Sequence, residues 1–348
     1  MTTMPLPTGD AETTLATWAT IRERGWLSAA TLRGRGEELQ AVREVASEDI
    51  ALGRIFDGHR NALERLLAHR AADVDHDLRL SITAGDLALG VWGADPGPDD
   101  GPPAVLSDGP DGPRVDGVKT FCSGSGLVDQ AIVLVRRSPT SPPILPVLVD
   151  LTDESTVTID RSWFKTDAVR ESRSDRVVFD GARVLAVLGK EGTLSEDPWI
   201  SGDALRSTAV WAGGADAVLA RLLHHAVARP GDAADEERLG RASAILATID
   251  VWLAAGLAAV EAAHEGGPSP APTIAAMRLE LSNRIRELLA LAAELGGSRA
   301  LVADGKLAAA RAGLDVLLLQ HRLGPVAARR GRAAAAEAAA DAAGVQLP

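Results

Sequence analysis

Hydrophobic positions divide the chain into a helical part, a β-rich part and a second, longer helical part. Apolar residues recur at helical spacing in Thr13–Arg24 and, more strongly, in Asp49–Arg70. The segment Asp73–Leu80 is expected to be a short connection. From about Asp86 to Val187 the pattern changes to short β-branched runs separated by turn residues, which predicts strands.

About eight short strands are predicted in this central part. They are Leu87–Trp92, Ala104–Leu106, Arg114–Phe121, Gln130–Arg136, Ile144–Val149, Thr156–Ile159, Arg176–Phe179 and Arg183–Val187. Gly, Pro and Asp cluster between the strands, most densely in the loop 96–103. This pattern is typical of a closed β-barrel or a β-sandwich.

Four long helices are predicted after about Ile200. They are Asp203–Ala228, Glu236–Glu265, Thr273–Leu295 and Lys306–Ala343. The links between them are short and rich in Gly, Pro or polar residues, which favours a four-helix bundle. The sequence therefore predicts an α+β protein with N-terminal helices at 1–85, a β domain at 86–190 and a helical bundle at 191–348.

Composition and charge exclude several classes of function. A net charge of −12 argues against a non-specific nucleic-acid surface or an anionic membrane surface as partner. Cys122 is the only cysteine, so an intrachain disulfide or a cysteine-based zinc cluster is impossible. The first residues lack a signal pattern, and no uninterrupted apolar run reaches the ~18 residues of a membrane span. We expect a soluble cytoplasmic protein.

The stretch from Arg114 to Val135 is the strongest candidate for chemistry. Asp116-Gly117 lies between two β-prone runs and predicts a hairpin turn. The second arm ends in Gly124-Ser125-Gly126, where the backbone can approach a flat ligand closely. An ordinary hairpin with a flexible exit loop is the alternative. No Gly-rich dinucleotide fingerprint or phosphate loop occurs in the chain.

The order of helices, strands and helices around this stretch resembles the acyl-CoA dehydrogenase family over residues 40–332. In that family two backbone stretches of the β domain hold the isoalloxazine ring of FAD. By resemblance, Val91 and Trp92 belong to the first stretch, and Phe121, Ser123 and Gly124 to the second. Phe121 takes the position that packs on the ring, and Ser123 supplies a hydroxyl to the flavin edge.

The resemblance implies an FAD-dependent oxidoreductase that desaturates an acyl thioester, on coenzyme A or an acyl carrier, and passes hydride to the flavin. It also implies a homodimer or homotetramer. The family removes the substrate α-proton with a glutamate, and that position falls at Leu323 here. No carboxylate lies between Asp315 and Glu337. Glu261, on an earlier helix, is an alternative source of the base.

Two other functions are compatible with the same resemblance. The first is a two-component flavin-dependent monooxygenase, in which His59 and His321 occupy or approach the histidine positions of the pocket and would be the catalytic residues. The second is a non-catalytic structural or assembly homologue. Both histidines would otherwise be surface or capping residues.

Other polar residues favour structural roles. His224 and His225 are adjacent and would point about 100° apart on a helix, which predicts a solvated edge. Glu280 and Arg284 are spaced for an ion pair on one helix face.

Overall fold

The computed structural model describes residues 11–68, 74–142, 144–228, 231–320 and 322–342. The chain divides into two compact units, Met1–Gly214 and Ala215–Pro348. The division into three segments at 1–85, 86–190 and 191–348 stays a prediction.

The described part of the first unit begins with four helices. They are α1 (Ala11–Glu23), α2 (Arg35–Glu48), α3 (Ile50–Ala68) and α4 (His76–Ala84). Asp49 caps α3, because its Oδ1 accepts from the backbone N–H groups of Ala51 and Leu52 at 2.9 and 3.2 Å.

The prediction that Asp73–Leu80 is a connection is wrong in its second half, because α4 begins at His76. The Asp75 side chain accepts hydrogen bonds from the first turn of α4. Gly85 ends the helix with φ +85°, a left-handed conformation that glycine adopts without strain. Asp75 at the N-cap and Gly85 at the C-cap were the sequence signals for α4.

Three helices of the first unit meet at Ala46 of α2. A Cβ added at Gly53 of α3 would lie 2.5 Å from the Ala46 Cβ. One added at Gly213 of α5 (Trp199–Ala228) would lie 2.3 Å from the carbonyl oxygen of Arg43 and 2.7 Å from the Ala46 Cβ. Two glycines therefore set how closely α3 and α5 approach α2.

A buried ionic network joins the same three helices. Arg206 of α5 donates to Glu38 of α2 at 2.8 Å and to Asn61 and Glu64 of α3 at 3.1 and 2.8 Å. Arg60 of α3 donates from Nε to the second oxygen of Glu38 at 2.6 Å. The Arg206 and Glu38 side chains are only 3% and 7% exposed, so the network lies inside the unit.

Seven strands form the rest of the first unit. They are β1 (Leu89–Trp92), β2 (Val105–Gly109), β3 (Gly112–Cys122), β4 (Gln130–Val135), β5 (Leu145–Asp150), β6 (Val157–Asp160) and β7 (Asp175–Val187). The two strands predicted at 176–179 and 183–187 are one strand, because β7 runs through Gly181 without a break.

The strands form a curled sheet in the order β1-β4-β5-β7-β3-β2, with β6 also paired to β7. β1 and β4 are parallel, and the other pairs are antiparallel. An isolated bridge between Val105 and Arg136 joins the start of β2 to the end of β4. The sheet therefore curls back on itself, as a closed β domain predicts.

The predicted hairpin turn at Asp116-Gly117 is wrong. Gly109 pairs with Gly112, so the turn between β2 and β3 consists of Pro110 and Asp111. Gly117 lies inside β3 at an irregularity in its pairing with β7, with φ +114°. A Cβ there would lie 2.5 Å from the carbonyl oxygen of Pro103, so the close approach of two backbones requires this glycine.

The core of the first unit lies between α3, α4 and one face of the sheet. Leu63, Leu66 and Ile82 from the helices belong to one buried cluster with Leu89 and Ile132 from the strands. The inward residues are β-branched or leucine, which fill the space between a helix and a sheet.

The second unit is helical within its described residues. It contains the end of α5, then α6 (Ala233–His264), α7 (Ala271–Ala303), α8 (Gly305–Leu317) and α9 (Leu323–Ala342). α7 packs against α6, α8 and α9. The helix predicted over 306–343 is thus two helices, and Gly297 interrupts α7 with φ +61°.

Two side-chain predictions for this unit have different outcomes. The predicted ion pair of Glu280 and Arg284 is present at 3.0 Å. His225 differs from the predicted solvated edge. Its Nε2 lies 2.8 Å from Asp304, which also accepts from Arg221 and caps α8 at Leu307.

Among the described helices, α6 is long and apolar enough to cross a membrane by length and composition, and 28% of that window is buried. An alanine-rich face including Ala247, Val251, Ala254 and Ala258 is exposed on it. The homo-oligomer implied by the resemblance stays a prediction.

We predict that Gly213→Ala destabilises the protein by about 1–3 kcal/mol, because the added methyl overlaps the backbone of α2. Gly240→Ala in α6 is the matched control, since a Cβ there meets nothing within 4 Å. The control is expected to be neutral or stabilising by up to about 1 kcal/mol. Chemical denaturation of both variants measures the difference, and equal stabilities would contradict the proposed close packing.

Candidate functional site

Two backbone stretches lie side by side in the first unit, one after β1 and one at the end of β3. The Thr120 backbone N–H donates to the carbonyl of Ala94 at 3.2 Å. The Thr120 hydroxyl donates to the carbonyl of Asp95 at 3.0 Å. The two stretches that the resemblance assigns to a flavin ring are therefore joined directly to each other.

An ion triad around the buried Lys119 holds the loop after β1. Lys119 is fully buried, and its Nζ lies 2.6 Å from Asp95 and 3.3 Å from the carbonyl oxygen of Gly93. Arg136 holds the other Asp95 oxygen at 2.6 Å. Burial lowers the pKa of Lys119, and Asp95 opposes that shift. Because a buried ammonium without its carboxylate is costly, this triad constrains the loop strongly.

Phe121 is the exposed aromatic residue between these stretches. Its side chain is 49% exposed, and its ring meets Trp163 edge-on with centroids 4.9 Å apart. The Trp163 indole donates to Asp100 at 2.7 Å, which holds it in place. Phe121 has φ +53°, a strained conformation for a side chain of this size. A strained, exposed aromatic held by its neighbours is typical of a binding surface.

Ser123 belongs to a chain of three hydroxyls. Its Oγ lies 2.8 Å from Ser174 Oγ, which lies 2.7 Å from Ser172 Oγ. Two hydrogen bonds use two of the three hydroxyl protons, so one proton has no acceptor among the described residues. In the arrangement in which Ser172 donates to Ser174 and Ser174 donates to Ser123, the hydroxyl proton that lacks an acceptor is that of Ser123. The chain can therefore present a donor to a ligand.

The other predicted cofactor contacts are Val91, Trp92 and Gly124. Val91 is half-buried, and Trp92 is buried with its Nε1 donating to the Ser123 carbonyl at 3.0 Å. Gly124 has φ +81°, and a Cβ there would meet Ile55 at 3.1 Å. Trp92 thus supports the second stretch from behind. Cofactor contact by these residues stays a prediction.

His59 is a buried histidine between α3 and β1. Its Nε2 lies 2.9 Å from the Leu27 carbonyl, and its Nδ1 accepts from the Leu89 backbone N–H at 3.0 Å. These partners require the neutral ring with the proton on Nε2. Burial lowers its pKa to about 3, despite the Leu27 hydrogen bond. The geometry gives His59 a structural role, and its catalytic role stays a prediction.

The remaining catalytic candidates belong to the second unit. His321 lies outside the described residues. Leu323 is the first residue of α9 and is half-buried. Cys122, at the end of β3 in the first unit, is buried, and burial raises the pKa of its thiol.

Sequence reasoning missed several residues of this site. Asp95 looked like part of a polar loop, although it partners Lys119 and Arg136. Trp163, Ser172 and Ser174 come from segments 40 to 50 residues away. An isolated tryptophan in a polar loop and the Ser-x-Ser spacing before β7 were the available signals.

Several solved structures are similar to this one, and some of them contain bound FMN. TdsC from Paenibacillus sp. A11-2, bound to FMN and indole, has a TM-score of 0.74 and 19% identity over 91% of this chain and 89% of its own. Butyryl-CoA dehydrogenase from Megasphaera elsdenii has a TM-score of 0.75 and 15% identity over 93% and 90%. KijD3, in complex with FMN and a dTDP-sugar, has a TM-score of 0.74 and 17% identity over 96% and 87%.

No protein-family model and no curated protein matches the sequence. At these identities the structural likeness establishes the fold. The chain has the acyl-CoA dehydrogenase fold, as its sequence predicted.

We predict that Phe121→Gly is more stable than Phe121→Ala by about 1 kcal/mol. Both variants lose the ring and its contact with Trp163, but glycine also relieves the positive φ. Thermal and urea unfolding of the two variants measure the difference. A more stable alanine variant would show that position 121 is not strained.

We predict that the destabilisation by His59→Gln becomes about 2 kcal/mol smaller between pH 7 and pH 5. The unfolded chain binds a proton near pH 6.5, whereas folded His59 stays neutral down to about pH 3. The wild type therefore loses about 1.4 kcal/mol per pH unit below 6.5 through this residue, and the variant does not. Urea unfolding at both pH values measures the change.

His76→Gln, which removes an exposed histidine at the start of α4, is the matched control. A change with pH that is no larger for His59→Gln than for this control would contradict the buried neutral ring.

Proposed function

We propose that this protein is a flavin-dependent oxidoreductase and that the surface around Phe121 holds the isoalloxazine ring. One observation carries the proposal, namely that the loop after β1 and the end of β3 are locked together beside a strained, exposed aromatic side chain. The flavins bound by TdsC and KijD3 support it by analogy of fold.

The residues present fit a planar, polar-edged ring. Phe121 offers an exposed aromatic surface, and the Ala94 backbone is bonded to Thr120, the residue before it. In the arrangement where Ser172 donates to Ser174 and Ser174 to Ser123, the Ser123 hydroxyl can donate to an acceptor on the ring edge. A bound flavin would supply one- or two-electron transfer, and these residues would orient it.

Among flavin-dependent reactions, we propose oxygen-dependent monooxygenation over desaturation of an acyl thioester. Desaturation requires a carboxylate that removes an α-proton in a dry site. Leu323 occupies the position where the family keeps that carboxylate, and the sequence has none from 316 to 336. Monooxygenation with externally reduced flavin does not need this base. FAD was the cofactor expected from the sequence, and FMN is the alternative that the FMN-bound neighbours add.

Flavin titration tests the proposal. Purified protein is mixed with FAD or FMN, oxidised or reduced under anaerobic conditions, and binding is followed by absorbance and by quenching of tryptophan fluorescence. Retention of reduced flavin, followed by oxygen consumption and substrate hydroxylation, would support the monooxygenase. Anaerobic bleaching of bound flavin by an acyl-CoA panel would instead support desaturation. Failure to bind either flavin in either redox state would favour a non-catalytic homologue.

We predict that Ser123→Ala weakens flavin binding about fivefold, because one hydrogen bond to the ring edge is worth about 1 kcal/mol. Ser155→Ala removes an exposed hydroxyl that bonds Asp153 and is the matched control. Dissociation constants from fluorescence quenching measure both. Unchanged affinity in Ser123→Ala would exclude the hydroxyl contact, and equal losses in both variants would point to a general effect.

A further inference from the structure

A cavity of about 370 Å³ lies in the first unit, away from the Phe121 surface in the fold. It is lined by residues of the segment before α2, by α2 and α3, and by the first half of α5. Its charged lining consists of Arg33, Arg35, Arg60 and Arg206 with Glu38 and Glu64. Two more arginines than glutamates therefore line one solvent-open pocket, in a protein whose net charge is −12.

The two buried arginines of this cavity are only partly satisfied. Arg60 uses Nε for Glu38 and Nη1 for the carbonyls of Trp26 and Ser28. Arg206 uses Nε for Glu38 and Nη1 for Asn61 and Glu64.

The Nη2 groups of both arginines donate to no residue within the described ranges. Neither Nη2 is among the described buried polar atoms that lack a partner, so both are open to the cavity. An occupant of the cavity can therefore accept hydrogen bonds from them.

Arg33 adds a third guanidinium with free donors. Its Nε donates to the Ala30 carbonyl at 2.9 Å, which orients the group. Its Nη1 and Nη2 donate to no described residue. Arg35 begins α2, so the positive end of that helix lies at the same wall. Gly34 is the N-cap residue of α2 and has no side chain that could accept from the first backbone N–H groups of the helix.

The other walls of the cavity are apolar. Leu32, Leu63, Leu67 and Trp199 line it together with two alanines. Leu67 is 45% exposed despite its size, which leaves apolar surface open to an occupant. A cavity of this volume is within the range that small organic ligands fill.

We propose that this cavity is a binding site for a small organic anion that joins a carboxylate or phosphate head to a short apolar body. The head accepts from Arg33 and from the Nη2 groups of Arg60 and Arg206, and the body lies along Leu63 and Leu67. This site does not depend on the proposed flavin function, because it uses none of the residues around Phe121.

Isothermal titration calorimetry with defined probes tests the site. Hexyl phosphate and hexanoate each carry an anionic head and an apolar body, whereas hexan-1-ol has no charge and inorganic phosphate has no body. We expect saturable binding of hexyl phosphate or hexanoate, and weaker or no binding of the other two. The stronger of the two amphiphilic probes identifies whether the head is a phosphate or a carboxylate.

Arg33→Gln is the decisive variant. Arg33 is exposed and bonds only one carbonyl among the described residues, so its loss leaves the buried network intact. We predict about tenfold weaker binding of the preferred probe, since a hydrogen bond to a charged group is worth about 1.5 kcal/mol or more. Arg137→Gln is the matched control, because it removes an exposed arginine that pairs with Glu191 outside the cavity.

Three results would overturn the proposal. One is no saturable binding of either amphiphilic anion to the wild type. Another is hexan-1-ol binding as tightly as hexyl phosphate and hexanoate. The third is equal weakening in Arg33→Gln and Arg137→Gln, which would indicate attraction to the overall surface charge alone.

Discussion

The first unit depends on one buried guanidinium, that of Arg206, which lies between Glu38 of α2 and Glu64 of α3. Burial alone would raise the pKa of Glu64, but Arg206 and Arg35 outweigh it and bring that pKa to about 2. Glu64 therefore stays ionised at any physiological pH. Removing one partner would leave a charge buried without compensation, a change that costs several kcal/mol. The network thus fixes how α5 lies on α2 and α3.

The neighbouring carboxylate Asp203 behaves in the opposite way. Burial raises its pKa to about 6, although Arg65 and Arg206 oppose the shift. Two acidic residues that contact the same arginine therefore differ in pKa by several units. Glu64 is paired closely with two arginines, Arg206 at 2.8 Å and Arg35 at 2.5 Å, which together outweigh its burial. Asp203 is paired closely with Arg65 alone, at 2.6 Å, and both its burial and the charge of Glu64 raise its pKa. Glu64 therefore stays charged at the contact between the helices, whereas the charge of Asp203 changes with pH near 6.

The sequence predicted the architecture well because the relevant signals are local. Apolar periodicity located α3 and the strands, and glycine or proline clusters located their ends. The errors arose where one local signal competed with another. Three Asp-Gly pairs occur between 108 and 117, and strand pairing decides which of them is in the turn.

Residues of the candidate site were harder to predict. Phe121 and Ser123 were found by resemblance, whereas Asp95, Trp163 and Ser174 join them only through tertiary contacts. His59 illustrates the same limit. Its place on a helix was predictable, but its two backbone partners, Leu27 and Leu89, lie about 30 residues away on either side.

The contacts that stabilise the first unit do not determine which reaction the protein supports. The glycines around Ala46, the Arg206 network and the Lys119 triad all lie within the first unit and involve no residue near position 323. The carboxylate that desaturation needs could be lost from that position without affecting any of them. Of these contacts, the Lys119 triad lies next to Phe121 and holds the loop after β1 in place. A scaffold of this kind can keep a site for a flat cofactor while the reaction it supports changes.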